Sequence, residues 1–156
     1  IINYLETILT TDKVYKIEAF SGAGAERLIR KIKEAAVEKG YDVECFYCAL
    51  FPKKLEHVVI PELDVSFTTA NKYHNTQVKV WKTIDLSTCY DKNILNNHQQ
   101  IIQESEKEFD TLLNIAVNSI NRAKVFHRDT EKYYSSNMNF DLLKLYREKI
   151  KNEILN

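Results

Sequence analysis

The run Val14-Tyr15-Lys16-Ile17-Glu18-Ala19-Phe20-Ser21-Gly22-Ala23-Gly24-Ala25-Glu26-Arg27-Leu28-Ile29-Arg30-Lys31-Ile32 constrains this chain's fold more than any other stretch. Residues 14–20 alternate, with Tyr15, Ile17 and Ala19 the more apolar set, as a strand does. From Ala25 the period changes. Leu28, Ile29, Ile32, Ala35 and Ala36 share one side of a helix, with Arg27, Arg30, Lys31 and Lys33 outside. Gly40 predicts where that helix stops. Two of the chain's three glycines lie between strand and helix. A strand that turns through glycines into a helix start aims backbone N–H groups and the positive helix end at one spot, the working principle of a phosphate loop. The full pattern is G-x-x-x-x-G-K-[ST]. With Gly24 as its second glycine, Ala19 stands at the first, Ala25 at the lysine and Glu26 at the Ser/Thr. The backbone shape is expected; the groups that grip phosphate and Mg²⁺ are missing.

Around this run the chain reads as α/β. Residues 3–9 predict a short leading helix. Residues 42–48 predict a second strand, so that 14–48 makes a strand–helix–strand crossover with parallel strands. Pro61 interrupts the apolar run 55–69 and predicts two short strands around a turn. Residues 71–76 read as a polar loop, and 78–86 as a further strand or extended edge segment. From Asn93 the apolar residues recur at three to four. Roughly 35 residues free of Gly and Pro predict one helix about 50 Å long. A turn within 128–139 leads to a second amphipathic helix from Phe140, with Asn139 or Asp141 near its cap. The expected organisation is residues 1–92 as the α/β core and 93–156 as an antiparallel helical hairpin, packed on the core or projecting from it. The two apolar stripes of the hairpin are expected to bury one another, or else to make a homo-oligomer.

Composition narrows the function. Lys plus Arg and Asp plus Glu are each 22, for a net charge of zero. That leaves no electrostatic footprint for nucleic acid or an anionic membrane. No stretch approaches the roughly 20 apolar residues of a membrane span. Three cysteines, an odd number, fit reduced thiols and a cytoplasmic location. The chain opens at Ile1 without a methionine, which suggests a fragment of a longer protein or a processed chain.

With Tyr47-Cys48 and Ile60-Pro61-Glu62-Leu63 also in view, the chain resembles one half of an uncharacterised prokaryotic family of tandem P-loop ATPase-like, nucleotide-kinase-like proteins of clostridia and bacilli. Members of that family carry P-G-T-G-K-S-T, a helix, a strand ending in His-Cys, I-I-P-E-L, D-G-T-A-P-H and a long helical insertion. Here Gly22-Ala23-Gly24 falls at G-T-G and Ala25-Glu26-Arg27 at K-S-T. Tyr47-Cys48 keeps the cysteine, Ile60-Pro61-Glu62-Leu63 is intact, and Thr69-Ala70-Asn71-Lys72-Tyr73-His74 keeps the histidine. The resemblance spans roughly residues 13–155. It implies a P-loop NTPase-like parallel sheet flanked by helices. It also implies a site built from Gly22, Ala23, Gly24, Ala25, Glu26, Arg27, Cys48, Thr69 and His74. Thr69 then stands where an acid would hold Mg²⁺ through water.

The individual residues bear on whether such a site works. In an active loop, the lysine bridges the terminal phosphates and the hydroxyl ligates Mg²⁺. A carboxylate about 4 Å from a phosphate oxygen costs roughly 4 kcal/mol at an effective dielectric near 20. Glu26 either folds back into the ring of amides as a built-in phosphate surrogate, favoured by the helix dipole, or points to solvent as an ordinary first-turn acid. Arg27 and Arg30 are either substitutes for the lysine or solvated surface. Cys45 and Cys48 are spaced C-x-x-C, but thiols three apart on a strand face opposite ways, which argues against zinc. Cys89 has no assigned role. His57, His98 and His127 are scattered. Glu62 is expected to serve the Pro61 turn.

The sequence therefore points to a degenerate P-loop NTPase-like domain, non-catalytic, with a structural or regulatory role beside an active P-loop domain or like subunit, and no cofactor. The alternative is an ATP-binding protein with ATPase or small-molecule kinase activity, using ATP and Mg²⁺ through a non-standard loop. A third, weaker reading makes the helical hairpin the functional part, as a protein-interaction surface.

Overall fold

A computed structural model describes residues 5–20, 22–73 and 76–155 of the chain. The chain forms two compact units, Ile1–Lys92 and Asn93–Asn156. The first is α/β, with elements α1 (Leu5–Ile8), β1 (Lys13–Glu18), α2 (Ala25–Glu38), β2 (Glu44–Tyr47), β3 (Leu55–Ile60), β4 (Val65–Ala70) and β5 (Lys82–Asp85).

The five strands form one sheet in the order β2-β3-β4-β1-β5. β1 runs parallel to both neighbours, with Ile17 opposite Thr69 of β4 and Ile84 of β5. β3 runs antiparallel to β2 and to β4. The sheet is thus mixed, not parallel as expected, and chain length is the reason. Residues 48–54 are all that join β2 to β3, whereas a parallel crossover needs a dozen or more residues. β3 must therefore turn straight back. The expected crossover partners, β1 and β2, do point the same way, but β3 and β4 lie between them.

The two strands expected around Pro61 are β3 and β4. Pro61–Leu63 forms a single 3₁₀ turn, and Asp64 follows with φ 51°. This turn also fixes the start of β1. Asp12 N donates to Asp64 Oδ1 at 3.1 Å, and Lys13 N to Asp64 O at 3.3 Å. Glu62 reaches further, accepting from Asp42 N at 3.3 Å just before β2. Of the alternating segment 78–86, only Lys82–Asp85 is strand. Val78 packs instead on Leu5, Leu9 and Val14, and Trp81 N donates to Val14 O at 2.9 Å.

α2 covers one face of the sheet. Its Ile29 and Ala36 pack with Ile17, Leu55, Val58 and Ile60, and fully burying one such branched side chain is worth about 1.5–3 kcal/mol. Gly40, at φ +85°, ends the helix as expected. Its N–H bonds Val37 O and the Tyr41 N–H bonds Ala36 O, the paired pattern of a Schellman stop. The other face of β1 is buried too: Val14 packs with Leu5 of the leading helix and with Leu9, which follows it. Beside it runs a polar band, with Ser66 Oγ 2.7 Å from Thr11 Oγ1 and Thr68 Oγ1 2.8 Å from His57 Nδ1.

The second unit holds α3 (Lys92–Asn97), α4 (Gln99–Ser135) and α5 (Phe140–Leu155). The single long helix expected here is interrupted at His98, whose backbone leaves helical geometry at φ −110°, ψ 11°. Asn96 and Asn97, weak helix formers, precede the break. Asn139 caps α5, its Oδ1 accepting from Leu142 N at 2.9 Å. The hairpin expected to bury its two apolar stripes does so only in part: no residue of α4 or α5 is fully buried, while Phe109, Leu113 and Val117 of α4 are half-buried. Ile120, Phe126, Leu145 and Ile154 are all exposed. Among the described residues no helix is long and apolar enough to cross a membrane.

Candidate functional site

The site begins where β1 ends. Ala19 N donates to Ala70 O at 3.4 Å, carrying the β1–β4 pairing one residue past the strand. Phe20 N then donates to the Tyr90 hydroxyl at 3.2 Å, and Ala23 N closes a turn on Phe20 O at 3.1 Å. Gly22 and Gly24 take φ +83° and +88°. A Cβ built on either would meet nothing within 4 Å, so glycine is suited here by the sign of φ and not by lack of room. Gly24 is the N-cap of α2 and brings no side-chain acceptor. The helix's first N–H groups, on Ala25, Glu26 and Arg27, have no acceptor within the helix and face outward at its start.

A cleft of about 630 Å³ lies over this turn. Its wall includes Gly22, Ala23, Gly24, Ala25, Glu26 and Arg27, with Arg30 one turn on. Thr69, Ala70 and Asn71 enter from the end of β4, and Phe51, Lys53 and Lys54 from the β2–β3 connector. Topology accounts for the gathering. β1, β2 and β4 all point the same way, so the segments that leave them emerge at one end of the sheet. Ligands of open α/β sheets bind outside the carboxyl ends of the strands for the same reason.

Of the expected site residues, then, Thr69 meets the turn residues 22–27 in one cleft. Cys48 does not line it; its N–H instead closes the connector, donating to Lys54 O at 2.9 Å. His74 lies outside the described residues. Cys45 packs at the margin of the α2-side core, and Cys89 is exposed. His57 is buried in the opposite face, His98 sits at the α3–α4 break, and His127 lies 3.5 Å from Glu131 on α4. Among the described residues, no three His, Cys, Asp or Glu side chains converge as metal ligands.

The electrostatics at Glu26 are those of a first-turn acid paired along its own helix. Its carboxylate neither folds back onto the turn nor stands alone in solvent. It accepts from the Arg30 guanidinium, one helical turn along α2. That hydrogen bond holds the Arg30 pKa above its ordinary value. Arg30 Nη2 also donates to Lys53 O at 3.3 Å, tying the connector to the helix. Lys54 Nζ is 3.0 Å from Glu56 Oε1.

Sequence reasoning missed Phe20, Phe51, Lys53, Lys54 and Asn71 as cleft residues. The signal that leads to Lys53 and Lys54 is the shortness of the connector. It forces β3 to turn back at the end of the sheet where the glycine turn stands.

These features define an α/β domain with a mixed five-stranded sheet and a basic cleft over a strand–glycine turn–helix junction. No protein-family model, no curated protein and no solved structure matches the chain.

Proposed function

We propose that this chain is a degenerate P-loop NTPase-like domain that does not transfer phosphate and serves a structural or regulatory role beside an active P-loop domain or a like subunit. One observation carries the reading. The cleft over the glycine turn is lined by Ala25, Glu26 and Thr69, the residues that the sequence resemblance aligns with the lysine, hydroxyl and acid that phosphoryl transfer calls for. Catalysis of that reaction is almost entirely charge stabilisation and positioning, and all three contributions are removed together. The positive φ of Gly22 and Gly24 supports a tight turn at this junction.

Calorimetric titration of the chain with Mg-ATP, alongside an assay of phosphate release, tests this reading. Release that depends on Mg²⁺ and is lost in Arg27→Ala sinks it. A complementary variant supplies those groups: Ala25→Lys, Glu26→Ser and Thr69→Asp together should make Mg-ATP bind more tightly than to the parent and more tightly than ATP in EDTA.

The second reading, an ATP-binding enzyme with a non-standard loop, is favoured by the four basic residues at the cleft, Arg27, Arg30, Lys53 and Lys54. Of these, Arg30 is engaged by Glu26 and is the weaker substitute for a loop lysine. The exposed apolar residues of α4 and α5 support self-association through the helical unit, which sedimentation velocity tests. Three free thiols support a cytoplasmic location.

A further inference from the structure

The cleft draws its positive charge from outside the glycine turn. Four basic side chains line it against one carboxylate, Glu26. Ion pairing divides the four. Glu26 takes Arg30 and Glu56 takes Lys54. Arg27 and Lys53 have no ion-pair partner among the described residues. Lys53 is held at the cleft by its own backbone, since Arg30 donates to its carbonyl oxygen.

Two aromatic residues also line the cleft, Phe20 after β1 and Phe51 in the β2–β3 connector. Phe20 is 64% exposed and Phe51 61%, although each is large and apolar. Phe20 is backed by Tyr90, ring centroids 5.8 Å apart. Flat apolar rings left open beside unpaired cations, in a concavity within the size range of small-molecule sites, describe a ligand with two ends. One end is anionic and meets the cations and the first-turn amides of α2. The other is a flat ring, which stacks on an aromatic face.

We propose that the cleft binds a phosphorylated ligand of nucleotide size bearing a flat ring, without a metal ion, with Lys53 and Arg27 as the cations for phosphate and Phe20 and Phe51 as the seat of the ring. This rests on the non-catalytic reading above and gives it content: the ligand is held and not turned over. The connector lysine takes the part of a loop lysine in charge but comes from the β2–β3 connector. Among the described residues, the cleft lining offers a divalent ion one carboxylate, Glu26, which is paired with Arg30. Neutralising a polyphosphate therefore falls to the side chains, and the metal-free anion, more highly charged, is the better ligand.

Calorimetry on the full chain tests this, with ATP and with inorganic pyrophosphate, each in EDTA and in Mg²⁺. ATP is expected to bind in EDTA at least as tightly as with Mg²⁺. Lys53→Ala and Arg27→Ala are each expected to weaken both ligands by about ten- to a hundredfold, the value of one charged hydrogen bond. Phe51→Ala should weaken ATP by about tenfold and leave pyrophosphate unchanged. All three side chains are exposed, and thermal melts of the variants should overlay the parent. Binding only with Mg²⁺, no heat from either ligand in EDTA at millimolar concentration, or affinities indifferent to Lys53→Ala would overturn the proposal. A silent titration without phosphate release overturns this proposal alone, whereas Mg²⁺-dependent release overturns the non-catalytic reading.

Discussion

Glu26 and Arg30 are paired across one turn of α2, and this pairing sets how much charge the glycine turn presents. The acid that would repel a phosphate is satisfied by a cation of its own helix. Glu26→Gln should therefore release Arg30 toward the cleft and raise the affinity for pyrophosphate in EDTA by about three- to tenfold, more at low salt than at high. The measurement is calorimetry at two ionic strengths. A loss of affinity would mean that the pair matters for positioning Arg30 and the connector.

Gly24 holds φ +88° with open space where a side chain would stand. Gly24→Ala should then cost only the left-handed backbone penalty, about 1–2 kcal/mol, seen as a lower urea midpoint at unchanged slope. Gly24→Asn should cost less, because asparagine visits that region more readily. Equal costs for the two would place the penalty in a contact and not in the backbone.

Thr68 is buried and its Oγ1 lies 2.8 Å from His57 Nδ1, on the sheet face away from α2. Thr68→Val keeps the shape and removes the hydroxyl from a buried imidazole. It is expected to destabilise the first unit by about 1–3 kcal/mol, read by urea denaturation. Ser66→Ala, whose partner Thr11 is less deeply placed, should cost less than Thr68→Val. The reverse order would show that the two polar pairs are wrongly ranked.

Asp85 accepts from both Ser87 N and Ser87 Oγ at 2.8 Å, and these bonds hold its carboxyl below the ordinary 3.8. A carboxyl lowered by folding adds stability above its unfolded pKa, and that contribution is lost as pH falls through the lowered, folded value. NMR titration of the Asp85 carboxyl should give a midpoint below 3.8. Ser87→Ala should move it back toward that value, since one of the two bonds goes. A parent midpoint at or above 3.8 contradicts the assignment.

Much of the local structure was legible. The change of period at Ala25 marks α2, Gly40 marks its end, and Pro61 marks the β3–β4 turn, because each rests on backbone geometry that neighbours in sequence impose. Asn139 caps α5 for the same reason. What local pattern could not supply was pairing. Residues 42–48 read as a strand, but nothing within them says that β3 and β4 lie between that strand and β1. The α4 stripe reads as core in sequence, yet none of it is fully buried and Ile120 and Phe126 are exposed, since periodicity shows that a face is apolar and not what covers it.

By itself the sequence determined the strand–turn–helix junction and the residues that stand in it, Ala25 and Glu26 at the helix start among them. Both follow from residue identity at fixed spacing, with φ +83° and +88° available to glycine at little cost. Whereas the Glu26–Arg30 pair is local to α2, only the tertiary structure decided that Phe51, Lys53 and Lys54 would line one cleft with the turn. Those residues come together because a short connector makes β3 return antiparallel. Which segments then share one end of the sheet is settled by strand order, which no local run of residues encodes.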